Sequence, residues 1–304
     1  VPRTARVKSA SFIYHIIVRS ISEIELFKDE NDKIKFIYYL KRYKIEFNFK
    51  IYAYCLMNNH VHLIVDANGA DISKIMHGVN QSYAQYFNRK YKRHGHLFQD
   101  RFKSKVVNDE RYLKALSIYI HNNPTDIAQY KDTPEKYKYS SLGIYLGLRE
   151  DDFNIVEYSF ILELFGNTKK TARKNYVKFI YRNKSINLDI YENSRDENTE
   201  FLNKEFRKII YRDIEINKIL DLFLCKINIS KNDFFNFSNK NYINYRAVYI
   251  LMARNLCHVT FGRLSSHLND VSQSYLSYLK SKAIDFINNN RYKDIYDYMI
   301  GSFQ

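Results

Sequence analysis

Between Lys50 and Asp66 two runs rich in β-branched and aromatic residues, KIYAYCLM and HVHLIVD, are separated by nothing but Asn58-Asn59. So short a link has no room for a crossover, so the runs must pair as an antiparallel hairpin, and asparagine tolerates the positive φ of a tight turn. Other elements must be arranged around that hairpin. Upstream, Phe12 to Arg19 (FIYHIIVR) reads as a further strand, and Asn31 to Phe47 as a helix with Ile34, Ile37 and Tyr38 on its apolar stripe. Downstream, Asp71 is positioned to cap a helix through about Tyr91 that gathers Ile72, Ile75, Met76, Val79, Tyr83 and Tyr86 on one face, with Gly95 marking its end. An extended stretch from Phe102 to Val107 leads to Asp109, the predicted cap of a helix carrying Tyr112, Leu113, Leu116 and Tyr119 and stopped by Pro124. The order strand, helix, strand, strand, helix, strand, helix predicts an α+β domain over residues 1–150. It has the split βαβ arrangement, an antiparallel sheet with helices on one face.

Beyond 151 the pattern turns mostly α-helical. Residues 151–240 read as a helical extension containing a polar, acidic interval at 188–204 (LDIYENSRDENTEFLNK) suited to a linker or exposed loop. Residues 241–304 hold helical patterns at Arg246–Leu256, Gly262–Leu268 and Ser272–Ile284. That size suits a helix-turn-helix with Val271–Lys280 as recognition helix, a reading of spacing that a plain helical bundle also satisfies.

Charge narrows the partners. The chain carries a formal net charge of +15, and +10 of it falls within residues 1–150. The densest stretch, Asn88 to Lys105 (NRKYKRHGHLFQDRFKSK), mixes seven cations with Tyr91, His96, Phe98 and Phe102. Cations neutralise phosphates and aromatic faces stack on unpaired bases, so Arg89, Lys90, Lys92, Arg93, Arg101 and Lys103 are candidate DNA-backbone contacts, with a solvated basic helix end as the alternative. At 45% hydrophobic residues with only 8 Gly and 3 Pro, wholesale disorder and collagen are excluded. Three dispersed cysteines, Cys55, Cys225 and Cys257, give neither a disulfide framework nor a zinc knuckle. No apolar stretch approaches a membrane span and VPRTARVKSASFIYH has no apolar signal core, so a cytoplasmic, nucleoid-associated protein without membrane contact is expected.

His60 and His62 flank Val61 in a predicted strand, and side chains alternate with period two, so both imidazoles leave the same face. That is ligand geometry for a metal. His94-Gly95-His96 repeats the spacing, but Gly95 puts it in a turn, and it reads as basic surface. Tyr119 and Asn123 lie four residues apart on one helical face, where a nucleophile and a metal ligand can sit together. Pro124 pushes Asn123 toward extended backbone, leaving its amide oxygen free to reach sideways from a frayed last turn. With 28 tyrosines in the chain, position alone leaves a core role open for Tyr119.

The stretches YAYCLMNNHVHLIV (52–65), SYAQYFNRKYKRHGHLFQDRFKS (82–104), YIHNNP (119–124) and YSSLGIYLG (139–147), in that order and spacing, resemble the REP-associated tyrosine transposases of the single-tyrosine HUH superfamily, the IS200-like transposases. The resemblance covers about the first 150 residues. It implies a ferredoxin-like catalytic domain that cuts and rejoins hairpin-flanked single-stranded DNA through a 5′-phosphotyrosine intermediate. His60 and His62 match the metal-binding pair, Asn123 the helix-borne third ligand and Tyr119 the nucleophile, with Tyr112 as fallback. Mg2+ or Mn2+ is the implied cofactor, and assembly of the site within one chain or across a homodimer is left open. The long C-terminal half departs from the simplest members, and duplex DNA is its candidate partner. The competing expectation is a non-catalytic DNA-binding regulator descended from a transposase.

Overall fold

The computed structural model describes residues 13–21, 24–107, 109–183, 188, 209–257 and 259–304. The interval 188–204 read above as a linker lies outside the described residues apart from Leu188, as does Phe12 of the first strand. The chain forms two compact units, one comprising 1–44 and 49–207, the other 45–48 and 208–304.

In the first unit, β1 (Ile13–Arg19), α1 (Glu30–Phe47, whose last residues count with the other unit), β2 (Lys50–Leu56), β3 (His60–Asp66), α2 (Ile72–Lys90), β4 (Lys103–Val106) and α3 (Glu110–Asn122) follow the predicted order. The sheet order is β2-β3-β1-β4 and every pair is antiparallel, the split βαβ topology. Directly opposed residues of an antiparallel pair project from the same face, so register fixes neighbours. Arg19 stands opposite His60 and Ile17 opposite His62, while Lys103 and Lys105 of β4 stand opposite Ile17 and His15. Both faces of β3 are buried: Val61, Leu63 and Val65 on one, His62 and Ile64 on the other.

The Asn58-Asn59 turn differs from expectation. Neither residue has positive φ. The Met57 N–H donates to the His60 carbonyl at 2.8 Å to close the turn, and the asparagines act through their side chains: Lys33 Nζ donates to Asn58 Oδ1, and Asn59 Oδ1 lies 2.6 Å from His60 Nδ1.

The helices begin where the sequence places caps. Asp71 accepts the Ser73 N–H at 2.7 Å and Asp109 the Tyr112 N–H at 2.6 Å, satisfying orphan donors of α2 and α3. Fully buried Asp32 ties α1 to the end of α2, accepting from Lys90 at 2.7 Å and Tyr91 at 2.8 Å. Residues 139–141 run along the outer edge of β2, where the Leu56 N–H donates to Tyr139 and the Ser141 N–H to Tyr54, so this edge is covered. Ser141 also anchors α3. Its Oγ lies 2.7 Å from His121 Nε2, whose Nδ1 lies 2.7 Å from the hydroxyl of Tyr176 on α6. The short helices α4 (Leu142–Leu146) and α5 (Ser159–Leu162) and the longer α6 (Lys169–Arg182) complete the unit among the described residues.

The second unit is helical: α7 (Ile216–Ile227), α8 (Lys231–Phe235), α9 (Ile243–Leu256), α10 (Phe261–His267), α11 (Gln273–Asn288) and α12 (Lys293–Gly301). Its own core gathers Ile219, Phe223, Phe234, Tyr249, Leu264, Leu276 and Met299, all fully buried. Arg246 of α9 is 1% exposed, and its guanidinium donates to the carbonyls of Asp233, Phe234, Asn236 and Asn239. It thereby closes the loop after α8. Helix α11 starts at Gln273, two residues after the predicted Val271. Asn269 and Asp270 take left-handed φ near 57° and 58° in the turn, and Ser272 caps the helix.

Candidate metal and tyrosine site

Strand β3 presents His60 and His62, and α3 brings Tyr119 over them from the same face. The His60 and His62 rings are 5.0 Å apart between centroids, and the Tyr119 ring meets His62 edge-on at 5.3 Å. One chain supplies the whole constellation. Asn123 Oδ1 lies 3.4 Å from His60 Nε2, while its Nδ2 donates to the Tyr119 carbonyl at 2.8 Å. The predicted extended backbone at Asn123 is corrected: its φ of −50° and ψ of −38° are helical. The preference against helix before proline is outweighed because Asn123 opens a 3-10 turn (Asn123–Asp126) and its amide caps the preceding turn. The amide oxygen reaches His60 from a helical, not frayed, end.

Two residues at this site were missed by sequence reasoning. His15 on β1 is buried and stacks on His62 with ring centroids 5.3 Å apart, its Nε2 lying 3.0 Å from His62 Nδ1. Arg19, opposite His60 in register, is the cation that acts on both imidazoles and on the Tyr119 phenol. The signal was a period-two one: Tyr-His-Ile-Ile-Val-Arg places His15 and Arg19 on one strand face, but nothing in the sequence states the β1–β3 register.

The donor set fits a divalent cation. Each ring nitrogen of His60 faces an amide oxygen, and the closer contact, 2.6 Å to Asn59 Oδ1, favours the tautomer with the proton on Nδ1 and a lone pair on Nε2. In that tautomer Nε2 and the Asn123 Oδ1 acceptor, 3.4 Å apart, both have a lone pair to offer a cation. His62 Nε2 is buried without a hydrogen-bond partner. Donation from His62 Nδ1–H to His15 Nε2 leaves a lone pair there too, the arrangement in which an outer imidazole fixes the tautomer of a ligating one. Among the described residues no three His, Cys, Asp or Glu side chains converge to hold a metal, so a cation held by His60 and His62 would need the Asn123 amide oxygen as a further ligand. Two imidazoles and an amide oxygen suit Mn2+ at least as well as Mg2+.

Electrostatics keep these nitrogens neutral. Burial, aided by Lys105, lowers His15 to about 4. Burial followed by the charges of His15, His60 and Arg19 holds His62 well below the usual histidine range. Burial lowers His60 as well, the Asn123 contact working against it. The half-buried Tyr119 phenol is pushed up by burial and drawn back by Arg19. Tyr112, the fallback, is 3% exposed and pushed up to about 12 by burial, with its hydroxyl enclosed and unbonded.

Of the cationic candidates, Arg89, Lys92, Arg101 and Lys103 are exposed and Arg93 half-buried. Lys103 projects from the face that carries His62. Lys90 is engaged elsewhere, at 2.7 Å from both Asp29 and Asp32. His94 and His96 are exposed on either side of Gly95, whose φ is 86°, and belong to that surface.

A family model described as "Transposase IS200 like" matches residues 8–123. Over those residues the chain is similar to the IS200-like transposases. The matched stretch takes in β1 through α3 and ends on Asn123, so it contains every residue of the centre described above. A search of curated proteins found no match. Among solved structures, a REP-associated tyrosine transposase bound to a REP hairpin is similar at 15% identity, with 52% of this chain and 98% of that chain covered and a TM-score of 0.42.

Proposed function

We propose that the N-terminal unit is an IS200-like transposase domain that cleaves and rejoins single-stranded DNA beside a hairpin through Tyr119, with a Mg2+ or Mn2+ ion held by His60, His62 and Asn123. The observation that carries the proposal is the convergence of His60 Nε2, Asn123 Oδ1 and the unpartnered His62 Nε2 beside one half-buried tyrosine. When bound, the cation polarises a non-bridging phosphate oxygen and relieves the repulsion an anionic phosphodiester offers a nucleophile. Arg19 stabilises the phenolate as the Tyr119 hydroxyl gives up its proton. The tyrosyl oxygen then bonds to phosphorus, the bond from phosphorus to the 3′ oxygen breaks, and the 3′ oxygen leaves as a hydroxyl carrying a proton. The 5′ end stays on Tyr119. A returning 3′ hydroxyl reverses the steps, so joining needs no ATP.

Arg89, Lys92, Arg93, Arg101 and Lys103 hold the DNA backbone in this reading, while Lys90 contributes less because Asp29 and Asp32 already compensate it. In the second unit, Gln273, Ser274, Ser277 and Tyr278 form the exposed face of α11, and we assign duplex DNA to that face.

Single-stranded oligonucleotides covering the DNA that flanks the gene, incubated with the protein and Mn2+, test the proposal through their ends. Products with a free 3′ hydroxyl and a protein-blocked 5′ end, lost on chelation and in His60→Ala, are expected. Free 5′ phosphates, or cleavage that persists in chelator, would overturn it. Binding without any cleavage of broad oligonucleotide pools would favour a regulator instead.

A further inference from the structure

On α1, Lys35, Tyr38, Tyr39 and Arg42 recur at i, i+3, i+4 and i+7, and Tyr86 and Arg89 face them from α2, together lining a cleft of about 570 Å³. Among the described residues, no residue of the histidine and tyrosine centre lines this cleft, and neither does any carboxylate. The core does not need these side chains, because Phe36, Leu40, Val79 and Tyr83 of the same helices are fully buried elsewhere. Tyr38 is 40% exposed, beside Ile34 at 39%. Lys35 Nζ stands 4.2 Å from the centre of the Tyr38 ring, 5.4 Å from that of Tyr39 and 5.9 Å from that of Tyr86, so the cation and three aromatic rings form one surface. Gly78 keeps the floor in place, since a Cβ there would meet the Tyr43 ring at 2.4 Å, and Tyr43 reaches Ser82 at 2.9 Å.

The charges of Lys35 and Arg89 in this cleft attract an anion, and exposed tyrosine faces select a flat ring. A duplex offers phosphates but hides its base faces, whereas an unpaired strand offers both in repeat. We propose that the cleft between α1 and α2 binds unpaired nucleotides of single-stranded DNA, with a base on Tyr38 and phosphates on Lys35, Arg42 and Arg89. The proposal rests on the transposase reading only for the identity of the strand, and binding tests it without cleavage.

The full-length protein is titrated into fluorescent oligo-dT by anisotropy without metal. Tyr38→Ala should weaken binding about 5- to 100-fold and Tyr38→Phe should restore it, because stacking needs the ring and not the hydroxyl. Lys35→Gln with Arg42→Gln should reduce the slope of log affinity against log salt by about 1.4. A photoreactive thymine analogue in the strand should crosslink to the peptide containing Tyr38. Wild-type affinity and slope in these variants, with crosslinks elsewhere, would overturn the cleft proposal, as would absence of oligo-dT binding by the wild type. Persistent cleavage with any of those results would leave the Tyr119 reading standing, and loss of cleavage in His60→Ala with unchanged oligo-dT affinity would separate the two sites.

Discussion

His60 Nε2 lies 3.4 Å from Asn123 Oδ1 while Asn59 Oδ1 holds His60 Nδ1 at 2.6 Å, and that juxtaposition makes the centre intelligible at the scale of the residue. His15 is part of the same logic, since its contact with His62 Nδ1 decides which His62 nitrogen is left for a ligand. His15→Phe should weaken Mn2+ binding about 10- to 100-fold in titration calorimetry, and unchanged affinity would show that the tautomer is set otherwise. The neutral imidazoles also tie stability to pH. The folded pKa of His15, about 4, and of His121, about 3, both lie below the unfolded value of 6.5, so the unfolded chain binds more protons between those limits. Their stabilisation is complete above pH 6.5 and is lost as pH falls through 4 and then 3, at about 1.4 kcal/mol per pH unit for each group once the unfolded form is protonated. Urea midpoints measured from pH 7.5 to 4 should fall accordingly, and a flat profile would contradict two neutral buried histidines. His60, His62, Asn123 and Tyr119 were legible as residues because period two and period 3.6 place them in pairs. His15 and Arg19 were not, because their role depends on a strand register that sets His15 opposite Ile64 and Arg19 opposite His60.

Elements turn those residues into a site. Helix α3 aims Tyr119 because Asp109 fixes its start and the His121–Ser141 contact fixes its far end against β2. Asp109→Ala should cost about 1 kcal/mol in urea unfolding, the usual worth of an N-cap, and a change near zero would mean that another group caps α3. Element type and order followed from periodicity and caps, which are local signals. The helical backbone at Asn123 did not, because the proline preference is weaker than a 3-10 turn held by the Asn123 amide. The Asn58-Asn59 pair announced the hairpin while its backbone avoids the positive φ that such pairs usually supply. The buried Arg246 clamp was equally invisible: a lone arginine in a helical pattern gives no hint of four carbonyl partners. Arg246→Ala should destabilise the second unit by about 3 kcal/mol by leaving those carbonyls unpaired, read from its thermal midpoint.

Across the whole molecule, two units with separate cores predict unfolding that is not two-state. Calorimetry should resolve two transitions, with Arg246→Ala lowering one and Asp109→Ala the other, and a single transition shifted equally by both would refute independent units. The net charge of +15 sets the direction of attraction for nucleic acid, yet its distribution decides where the strand goes, and carboxylates at Asp29 and Asp32 already compensate Lys90. The central claim is that Tyr119 becomes covalently joined to DNA. Its most direct measurement is a denaturing gel of protein, labelled single-stranded DNA and Mn2+, comparing the unaltered chain with Tyr119→Phe and Tyr112→Phe. The account predicts a shifted band that survives denaturation, persists in Tyr112→Phe and is absent from Tyr119→Phe. A band that persists in Tyr119→Phe would contradict it.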